Sequence, residues 1–318
     1  MRQRLHVLIG VSALAVAVVL SPLVGAGQGG YVPPQTAWGD PDLRGHYLAN
    51  YGGQLETPSG DKVDTVYPPH GQAFSRFFAP DDNDRPRRDR SRPQPPMVVD
   101  PPDGRIPLQP WAAARRNEIM ANQDTLEHLD PRVKCLSAGL PRANTPVGYN
   151  SYQFLQVPGA VVILYEWNHL SRYIPLDGRP HVGQDIQLGM GDSRGHWDGH
   201  TLVVDVTNFT DNLWPVGNGA PPQGAPASSI TTGHGVFQTT ALHVVERFTP
   251  VDAETIHYEA TITDPNVFTQ PWTIAWNAFT RAPADHILYE YACHEGNGRN
   301  IRLLTGHDFD GVVLKLAK

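Results

Sequence analysis

Acidic, imidazole and guanidinium side chains are concentrated in one stretch of sixteen residues, which contains Glu166, His169, Arg172 and His181. A carboxylate and a histidine in a half-buried pocket can exchange protons with a substrate, and an arginine beside them can bind an anionic or carbonyl oxygen. This cluster is therefore a candidate site for acid–base catalysis. The structural alternative is that Glu166 forms an ion pair with Arg172 and that the histidines lie on the surface.

A second candidate site is the polar turn His294-Glu295, which directly follows Cys293. A disulfide at Cys293 would hold this turn rigidly, as a functional site requires, although the turn is equally consistent with a structural corner. Both groups, together with an arginine in a predicted strand, give seven candidate catalytic residues: Glu166, His169, Arg172, His181, Arg247, His294 and Glu295.

The segment Gly191-Asp192-Ser193-Arg194-Gly195 matches the nucleophile-elbow pattern of serine hydrolases. That motif requires a strand before the serine and a helix after it. Here the residues that follow are typical of a β-hairpin, so we interpret the segment as a turn.

Metal binding is an open alternative because the chain contains 14 histidines. However, the sequence has none of the HExxH, His-x-His or CxxC spacings that are typical of metal sites. A glycine-rich phosphate loop and a dinucleotide fingerprint are also missing, so no cofactor is predicted. The loose set of possible metal ligands consists of His169, His181, His234 and His294.

The composition excludes several classes of protein. The chain has 318 residues, with 25 lysines and arginines against 32 aspartates and glutamates, which gives a formal net charge of −7. This balance excludes a nucleic-acid binder that relies on bulk positive charge. The 30 glycines and 30 prolines argue against long helices, whereas 40% hydrophobic residues are enough for a core.

The first 26 residues have the pattern of a secretory signal peptide. Arg2 and Arg4 precede an apolar run from Val7 to Leu20, and small residues follow at 24–27. The run of 14 residues is short for a bilayer core of about 30 Å, so we favour cleavage over an uncleaved anchor. We therefore expect a periplasmic or secreted protein that has no membrane span after cleavage.

The two cysteines, Cys135 and Cys293, are far apart in the sequence. In a chain exported to an oxidising compartment, a single disulfide between them is the natural hypothesis. The functional alternative is a nucleophilic thiol at Cys293, beside His294. Adjacent residues of a strand point to opposite faces, and this geometry favours the disulfide.

Residues 27–138 are predicted to form an extended, proline-rich arm and one helix. The segment from Asp81 to Pro110 is rich in proline, arginine and aspartate, and we interpret it as a solvated linker or a strap over another domain. Pro110 suits a first helical turn, and Asp130-Pro131 ends the helical pattern. These signals place the helix at about 111–129.

Residues 139–318 are predicted to form an antiparallel β domain. About eight β-branched and apolar segments are separated by short turns such as Asp177-Gly178 and Asp198-Gly199, with no helical pattern between them. In the segment from Thr255 to Thr263, every second residue from Ile256 to Ile262 lies on one apolar face, and the last segment runs from His286 to Cys293. This pattern predicts an all-β fold: an antiparallel up-and-down barrel or curved sheet of lipocalin-like type, with the arm and the helix packed across it. The break from Trp214 to Ser229 is either a lid or a solvated insertion.

Two carboxylates, Glu166 and Glu246, share a face with apolar residues of predicted strands. An acid in an apolar row either lines a pocket or forms a buried ion pair, for example with Arg172 or Arg247. The sequence leaves both interpretations open.

Several long motifs occur in the order in which a known family has them. They are DPPDGR at 100–105, DGRPH at 177–181, GDSRGHW at 191–197, LHVVERF at 242–248 and EYACHEGN at 290–297. In these motifs the chain resembles a large family of exported bacterial proteins without an assigned activity, over nearly its whole mature length. The resemblance implies export and a shared architecture, and it supplies no catalytic residue.

We therefore expect an exported, cofactor-free enzyme that performs acid–base chemistry, as a hydrolase, lyase or isomerase, on a small apolar or aromatic molecule in a barrel pocket. One alternative is a non-catalytic carrier, and another is a cell-envelope interaction protein that docks through the arm. In the enzyme, the general base would be Glu166 or Glu295, and the general acid would be His169 or His294. The anion-binding group would be Arg172 or Arg247. The pocket of the carrier would be lined by Trp167, Trp197, Tyr291 and Trp272.

Overall fold

An antiparallel sheet that curls into a nearly closed barrel forms the body of the protein. The computed structural model describes residues 31–49, 55–56, 95–122, 125, 127–132, 134–145, 151–217 and 235–295. Within these ranges the protein has ten strands and one α-helix, which confirms the predicted all-β barrel with a single helix. The predicted signal peptide, residues 1–26, lies outside the described residues.

The strands and the helix are numbered in chain order. They are β1 (Gly45–Ala49), β2 (Val98–Asp100), α1 (Pro110–Ala121), a 3₁₀ turn (Arg142–Asn144), β3 (Ser151–Val157), β4 (Ala160–Tyr165), β5 (Ser171–Pro175), β6 (Asp192–Asp198), β7 (Thr201–Thr207), β8 (His243–Pro250), β9 (Thr255–Thr263) and β10 (Trp272–Arg281). The strand order in the sheet is β5-β4-β3-β1-β10-β9-β8-β7-β6, and β2 also pairs with β10. Two meanders, β3–β5 and β6–β10, are therefore joined through β1.

Tight turns at glycines with positive φ connect neighbouring strands. Gly159 (φ 80°) lies between β3 and β4, and Gly199 (φ 59°) lies between β6 and β7. Glycine adopts this left-handed conformation without a steric penalty, which is why Asp-Gly is a strong hairpin signal. The hairpin predicted at Asp198-Gly199 is confirmed.

Alternating burial along the strands shows which side chains fill the barrel. In β9, every second residue from Ile256 to Ile262 is buried, and the residues between them are half-exposed. Aromatic rings meet in the interior, where the ring of Phe154 lies 6.0 Å from that of Phe248 and 5.5 Å from that of Phe279. The interior of this part of the barrel is therefore an aromatic core.

Side-chain contacts connect β5 and β6, the two ends of the sheet. Gly195 of β6 lies against Ile174 of β5, and a Cβ atom at Gly195 would come within 2.7 Å of that side chain. Arg172 of β5 donates a hydrogen bond through Nε to Ser193 Oγ of β6, at 2.9 Å. These contacts bring the ends of the sheet together and nearly close the barrel.

The segment predicted as an extended arm supplies a central strand of the barrel. β1 pairs with β3 on one side and with β10 on the other, so that Tyr47 lies opposite both Tyr152 and Arg281. Gln156 of β3 fixes the chain before β1, because its Nε2 donates to the carbonyl of Pro41 at 3.0 Å. Residues 31–49 thus belong to the barrel.

Helix α1 is shorter than the sequence predicted. It begins at Pro110, as the pattern indicated, but it ends at Ala121 rather than near residue 129. Asn122 ends the helix by bonding back to it, since its backbone N–H donates to the carbonyl of Ile119 and its Nδ2 donates to the carbonyl of Glu118. A residue that satisfies these carbonyls itself is a common helix end.

The segment that leads to the 3₁₀ turn closes one end of the barrel. Asp130 and Arg142 form a fully buried ion pair there, with 2.6 Å between Arg142 Nη2 and Asp130 Oδ2. The hydroxyl of Tyr152 donates to the carbonyl of Ala143 at 3.1 Å. The boundary predicted between arm and β domain, at residues 138 and 139, falls inside this segment.

The chain after β10 is irregular, and a disulfide fixes it to the segment before the 3₁₀ turn. The predicted last strand, from His286 to Cys293, is described as an irregular segment with a single bridge between Tyr291 and Trp167. The disulfide predicted between Cys135 and Cys293 is confirmed. Among the described residues there is no helix with the length and apolar character needed to cross a membrane.

Candidate functional site

A cleft of about 410 Å³ opens at the end of the barrel where β4 passes into β5. One wall is the end of β4 with the β4–β5 turn, and the other is the irregular segment before the disulfide. Five of the eight lining residues are leucines or tyrosines, three carry a carboxyl or imidazole group, and none of the eight is lysine or arginine. The lining residues are Leu164, Tyr165, Glu166, His169, Leu170, Leu288, Tyr289 and Glu290.

Glu166 is half-buried and is held in place by Ser151. Its Oε2 accepts hydrogen bonds from the backbone N–H of Ser151, at 2.9 Å, and from the hydroxyl of the same residue. Within the described part of the chain, no hydrogen bond to Oε1 is found. Ser151 therefore orients the carboxylate through one oxygen and leaves the other for a proton or a ligand.

His169 lies at the tip of the turn that joins β4 to β5. Asn168 (φ 54°) and His169 (φ 50°) both have positive φ, as the two central residues of a type I′ hairpin turn do. Asn168 anchors the turn, since its Nδ2 donates to the carbonyl of Cys135 at 2.9 Å. His169 is exposed and occupies a backbone conformation that glycine would adopt more easily.

Aromatic and guanidinium side chains stack next to the cleft. The ring centroids of Trp167 and Tyr291 are 4.6 Å apart, and the guanidinium of Arg132 lies 3.9 Å from the centroid of Trp167. Burial, together with the nearby guanidinium of Arg142, lowers the pKa of Arg132 to about 10. Trp167 and Tyr291 directly follow Glu166 and Glu290, so this stack connects the two walls of the cleft.

The disulfide holds the same two walls together. Cys135 is fixed to Arg132 by a 3.0 Å backbone hydrogen bond, and Cys293 lies two residues after Tyr291. His294 and Glu295 follow the disulfide in an exposed turn, and neither lines the cleft.

Arg172 lies inside the barrel, away from the cleft. Its Nη2 forms a buried ion pair with Oε2 of Glu246, while Oε1 of Glu246 accepts from Asn144 Nδ2 at 2.8 Å and from the hydroxyl of Tyr258 at 2.6 Å. Burial lowers the pKa of Arg172, but the carboxylate of Glu246 outweighs it, and the net pKa is raised. Burial and Glu246 also raise the pKa of Tyr258. Glu246 therefore forms a buried ion pair and does not line the cleft, which decides between the two interpretations that the sequence left open.

His181 belongs to a polar network on the outer face of β6, β7 and β8. Its Nδ1 lies 3.0 Å from Asp192 Oδ2, and its Nε2 lies 2.8 Å from Asp205 Oδ1. Asp205 also contacts Nε2 of His243 through Oδ2, at 2.8 Å. The hydrogen bond to Asp205 raises the pKa of His243, and the hydrogen bond to His243 lowers the pKa of Asp205.

Arg247 also lies on the outer face, where its Nη2 contacts Asp198 Oδ2 at 2.8 Å and its Nε lies 4.0 Å from Glu259 Oε2. The interpretation of the nucleophile-elbow pattern as a turn is wrong, because Ser193 is buried within strand β6, where it pairs with Val206 of β7. The hairpin predicted to follow the pattern is present, and a helix does not follow the serine. Among the residues that the structure describes, no group of three or more His, Cys, Asp or Glu is arranged to hold a metal ion.

Of the seven candidate catalytic residues, the cleft brings together Glu166 and His169. Glu290 is a second carboxylic acid of the cleft, which was missing from the residues expected from the sequence. The signal available for it was an acid between Tyr289 and Tyr291, close to a cysteine already expected in a disulfide. The break at residues 214–229, for which the sequence left a lid and a solvated insertion open, lies mostly outside the described residues.

Comparisons of this chain with protein-family models, with curated proteins and with solved structures find no match. The resemblance to exported bacterial proteins therefore stays a prediction.

Proposed function

We propose that the cleft between β4 and the segment before the disulfide binds a small apolar or aromatic molecule, on which Glu166 and His169 perform acid–base chemistry without a cofactor. The observation that carries the proposal is that one cleft of about 410 Å³ is lined by Glu166 and His169 together with apolar residues such as Leu164 and Leu170. This volume is in the range of small-molecule sites, and a few polar groups among apolar residues are typical of them.

Glu166 is the general base and His169 is the general acid of this proposal. Both hydrogen bonds from Ser151 are accepted by Oε2 of Glu166, so Oε1 is the atom that takes the proton. His169 is exposed at the tip of its turn, where its ring can donate a proton to a leaving or enolate oxygen. The reaction class is hydrolysis, elimination or isomerisation.

The charges of the cleft restrict the charge that a substrate can carry. Glu166 and Glu290 are both carboxylic acids, and the lining residues include no arginine. Arg172 and Arg247, the expected anion-binding groups, do not line the cleft, because Arg172 is paired with Glu246 inside the barrel and Arg247 with Asp198 on the outer face. An anionic substrate would be repelled, so the substrate is neutral or cationic.

The proposal includes export to the periplasm or the medium. A disulfide between Cys135 and Cys293 supports this location, because structural disulfides persist mainly in oxidising compartments. The signal-peptide pattern of residues 1–26 and the resemblance to exported proteins support it as well.

A non-catalytic carrier is the second candidate, and the stack of Trp167 on Tyr291 favours it. These two members of the predicted carrier lining lie next to the cleft. Trp272, a third member, is fully buried in the core against Phe268, at a centroid distance of 5.3 Å. A carrier would therefore use the same cleft, and it would bind without turnover.

The test measures binding and turnover in the mature protein. Binding is followed with Nile red, a neutral apolar dye. Turnover is followed with 4-nitrophenyl butyrate, 4-hydroxy-4-phenylbutan-2-one and a β,γ-unsaturated aryl ketone, one neutral probe for each reaction class. We expect saturable dye binding and turnover of at least one probe, and we expect Glu166→Gln to lower that turnover by about 10²- to 10⁴-fold without changing the melting temperature.

Glu259→Gln is the matched control, because Glu259 is a half-exposed glutamate on the outer face of β9. Equal turnover by Glu166→Gln and this control would refute the assignment of the base. Dye binding without turnover of any probe would favour the carrier, and absence of both would refute the site.

A further inference from the structure

A second pocket, of about 220 Å³, lies at the opposite end of the barrel, where β8 turns into β9. Its walls come from the chain before β1, from the start of β1, from the β8–β9 turn and from the end of β10. It shares no residue with the cleft, and the candidate catalytic residues do not line it.

Arg281, at the end of β10, is a fixed cation in this pocket. Its Nε donates to the carbonyl of Ala253 at 3.2 Å, its Nη1 to the carbonyl of Arg44 at 3.1 Å, and its Nη2 to the hydroxyl of Tyr47 at 3.0 Å. A guanidinium has five N–H donors, so two remain on the Nη atoms. All three acceptors are neutral oxygens.

Gly45 allows this position of Arg281. A Cβ atom at Gly45 would overlap Nη1 of Arg281, and the φ of Gly45, 148°, is one that other residues rarely adopt. The backbone of β1 thus leaves room for the guanidinium beside Tyr47, whose ring lies 5.0 Å from the guanidinium carbon.

The acids around the pocket already have partners. Asp42 forms a two-pronged ion pair with Arg44, with 2.9 Å between Arg44 Nε and Asp42 Oδ1 and 2.6 Å between Arg44 Nη2 and Asp42 Oδ2. Asp252 Oδ1 accepts the backbone N–H of Glu254 at 2.8 Å. Within the described ranges, no carboxylate lies within ion-pair distance of Arg281. Asp42 is the nearest acid in electrostatic terms, and its pKa is lowered first by its hydrogen bond with Arg44 and more weakly by the charge of Arg281, so the two acids of the pocket are matched by two guanidinium groups.

We propose that this pocket binds a small carboxylate with a compact apolar body. The carboxylate accepts the two remaining N–H groups of Arg281, a pairing that guanidinium and carboxylate make in a plane and with two bonds. The apolar body packs against Tyr31, Pro33, Pro34 and Ile256, which line the same pocket. The size of the pocket limits the ligand to about the volume of one amino acid or an aryl acetate.

The experiment is calorimetric titration of the mature protein with phenylacetate and with its neutral isostere phenylacetamide. We expect one-site binding of phenylacetate and at least tenfold weaker binding of the amide. Arg281→Gln should remove the preference for the carboxylate. Because Arg281 also fixes β1, Ala253→Phe is the second variant: it fills the pocket from an exposed turn and should weaken phenylacetate binding at least tenfold.

Ala241→Phe is the matched control, because Ala241 is exposed in a turn before β8, at the other end of the barrel. Equal affinity for acid and amide, no binding of phenylacetate, or unchanged binding in Ala253→Phe would each overturn the proposal. Glu166→Gln should leave phenylacetate binding unchanged, so this outcome is independent of the function proposed for the cleft.

Discussion

His169→Gly is expected to separate stability from function at the cleft. His169 has a φ of 50° at the tip of the β4–β5 turn, a conformation in which a side chain crowds the following carbonyl. The side chain is exposed, so its removal loses little buried surface. If His169 is retained for chemistry, the variant should fold at least as well as the wild type and should lose activity.

The magnitude follows from two opposing effects on the backbone. Relief of the left-handed conformation stabilises the folded state by about 1–2 kcal/mol. The greater freedom of glycine in the unfolded chain costs about 0.5–1 kcal/mol. The net change in the free energy of unfolding is therefore about 0–1.5 kcal/mol in favour of the variant, or a rise of a few degrees in melting temperature.

The assay pairs thermal denaturation, followed by circular dichroism, with turnover of the neutral probe that the wild type accepts. Asn168→Gly is the comparison variant, because Asn168 has a similar φ but donates a hydrogen bond to the carbonyl of Cys135. That variant should gain less stability than His169→Gly, since it loses the bond. A fall of 2 kcal/mol or more for His169→Gly would refute the argument from backbone strain, and undiminished turnover would refute the role of His169 as acid.

Three further predictions concern stability. Glu246→Gln leaves the buried guanidinium beside it without a counterion and should lower the free energy of unfolding by about 3–5 kcal/mol in urea denaturation; a loss below 1 kcal/mol would contradict this. The pair of His243 and Asp205 should stabilise most between about pH 4 and 6.5. Because the pKa of His243 is raised in the folded state, the stabilisation by His243 is complete below its unfolded pKa and is lost as the pH rises through its folded pKa. Because the pKa of Asp205 is lowered in the folded state, the stabilisation by Asp205 is complete above its unfolded pKa and is lost as the pH falls through its folded pKa. The difference in melting temperature between wild type and His243→Gln should thus shrink towards pH 3 and pH 9, and a difference that grows above pH 8 would show the reasoning to be wrong. Replacing Cys135 and Cys293 with serine opens a loop with a sequence separation of 158 and should cost about 5 kcal/mol on the chain-entropy estimate, as measured by denaturation of the double variant; an unchanged midpoint would rule out a stabilising crosslink.

Local alternation made much of the barrel predictable. The period of two in Thr255–Thr263 assigned the buried face of β9 correctly, because one face of this strand is core and the other is solvent. The Asp198-Gly199 turn was equally predictable, since the backbone conformation of such a turn depends on the residues of the turn itself.

Contacts between distant segments were not predictable in the same way. β1, with the sequence GHYLA, is too short to show a period, and its place between β3 and β10 depends on which strand edges remain free. The segment from His286 to Cys293 has strand-like residues, but its neighbours in space are the β4–β5 turn and the disulfide. A strand pattern shows that a segment is extended and does not show whether an edge is available to pair with it.

For the same reason, only part of the candidate site could be predicted from the sequence. Glu166 and His169 lie three residues apart, and one turn brings both to the cleft. Arg172 is equally near in sequence, but its partner Glu246 lies 74 residues further along, and the registers of several strands decide that pairing. Proximity in sequence therefore grouped Arg172 with the wrong neighbours.

The position of β1 has a consequence for how the chain is made. Tyr47 of β1 and Arg281 of β10, which lie opposite each other in the sheet, are 234 residues apart in sequence. At a synthesis rate of about 5–20 residues per second, β10 leaves the ribosome roughly 10–50 s after β1. During this interval β1 has a free edge that other strands can pair with. The barrel cannot close during translation until nearly the whole chain has emerged, so the nascent protein needs protection from aggregation for most of its synthesis.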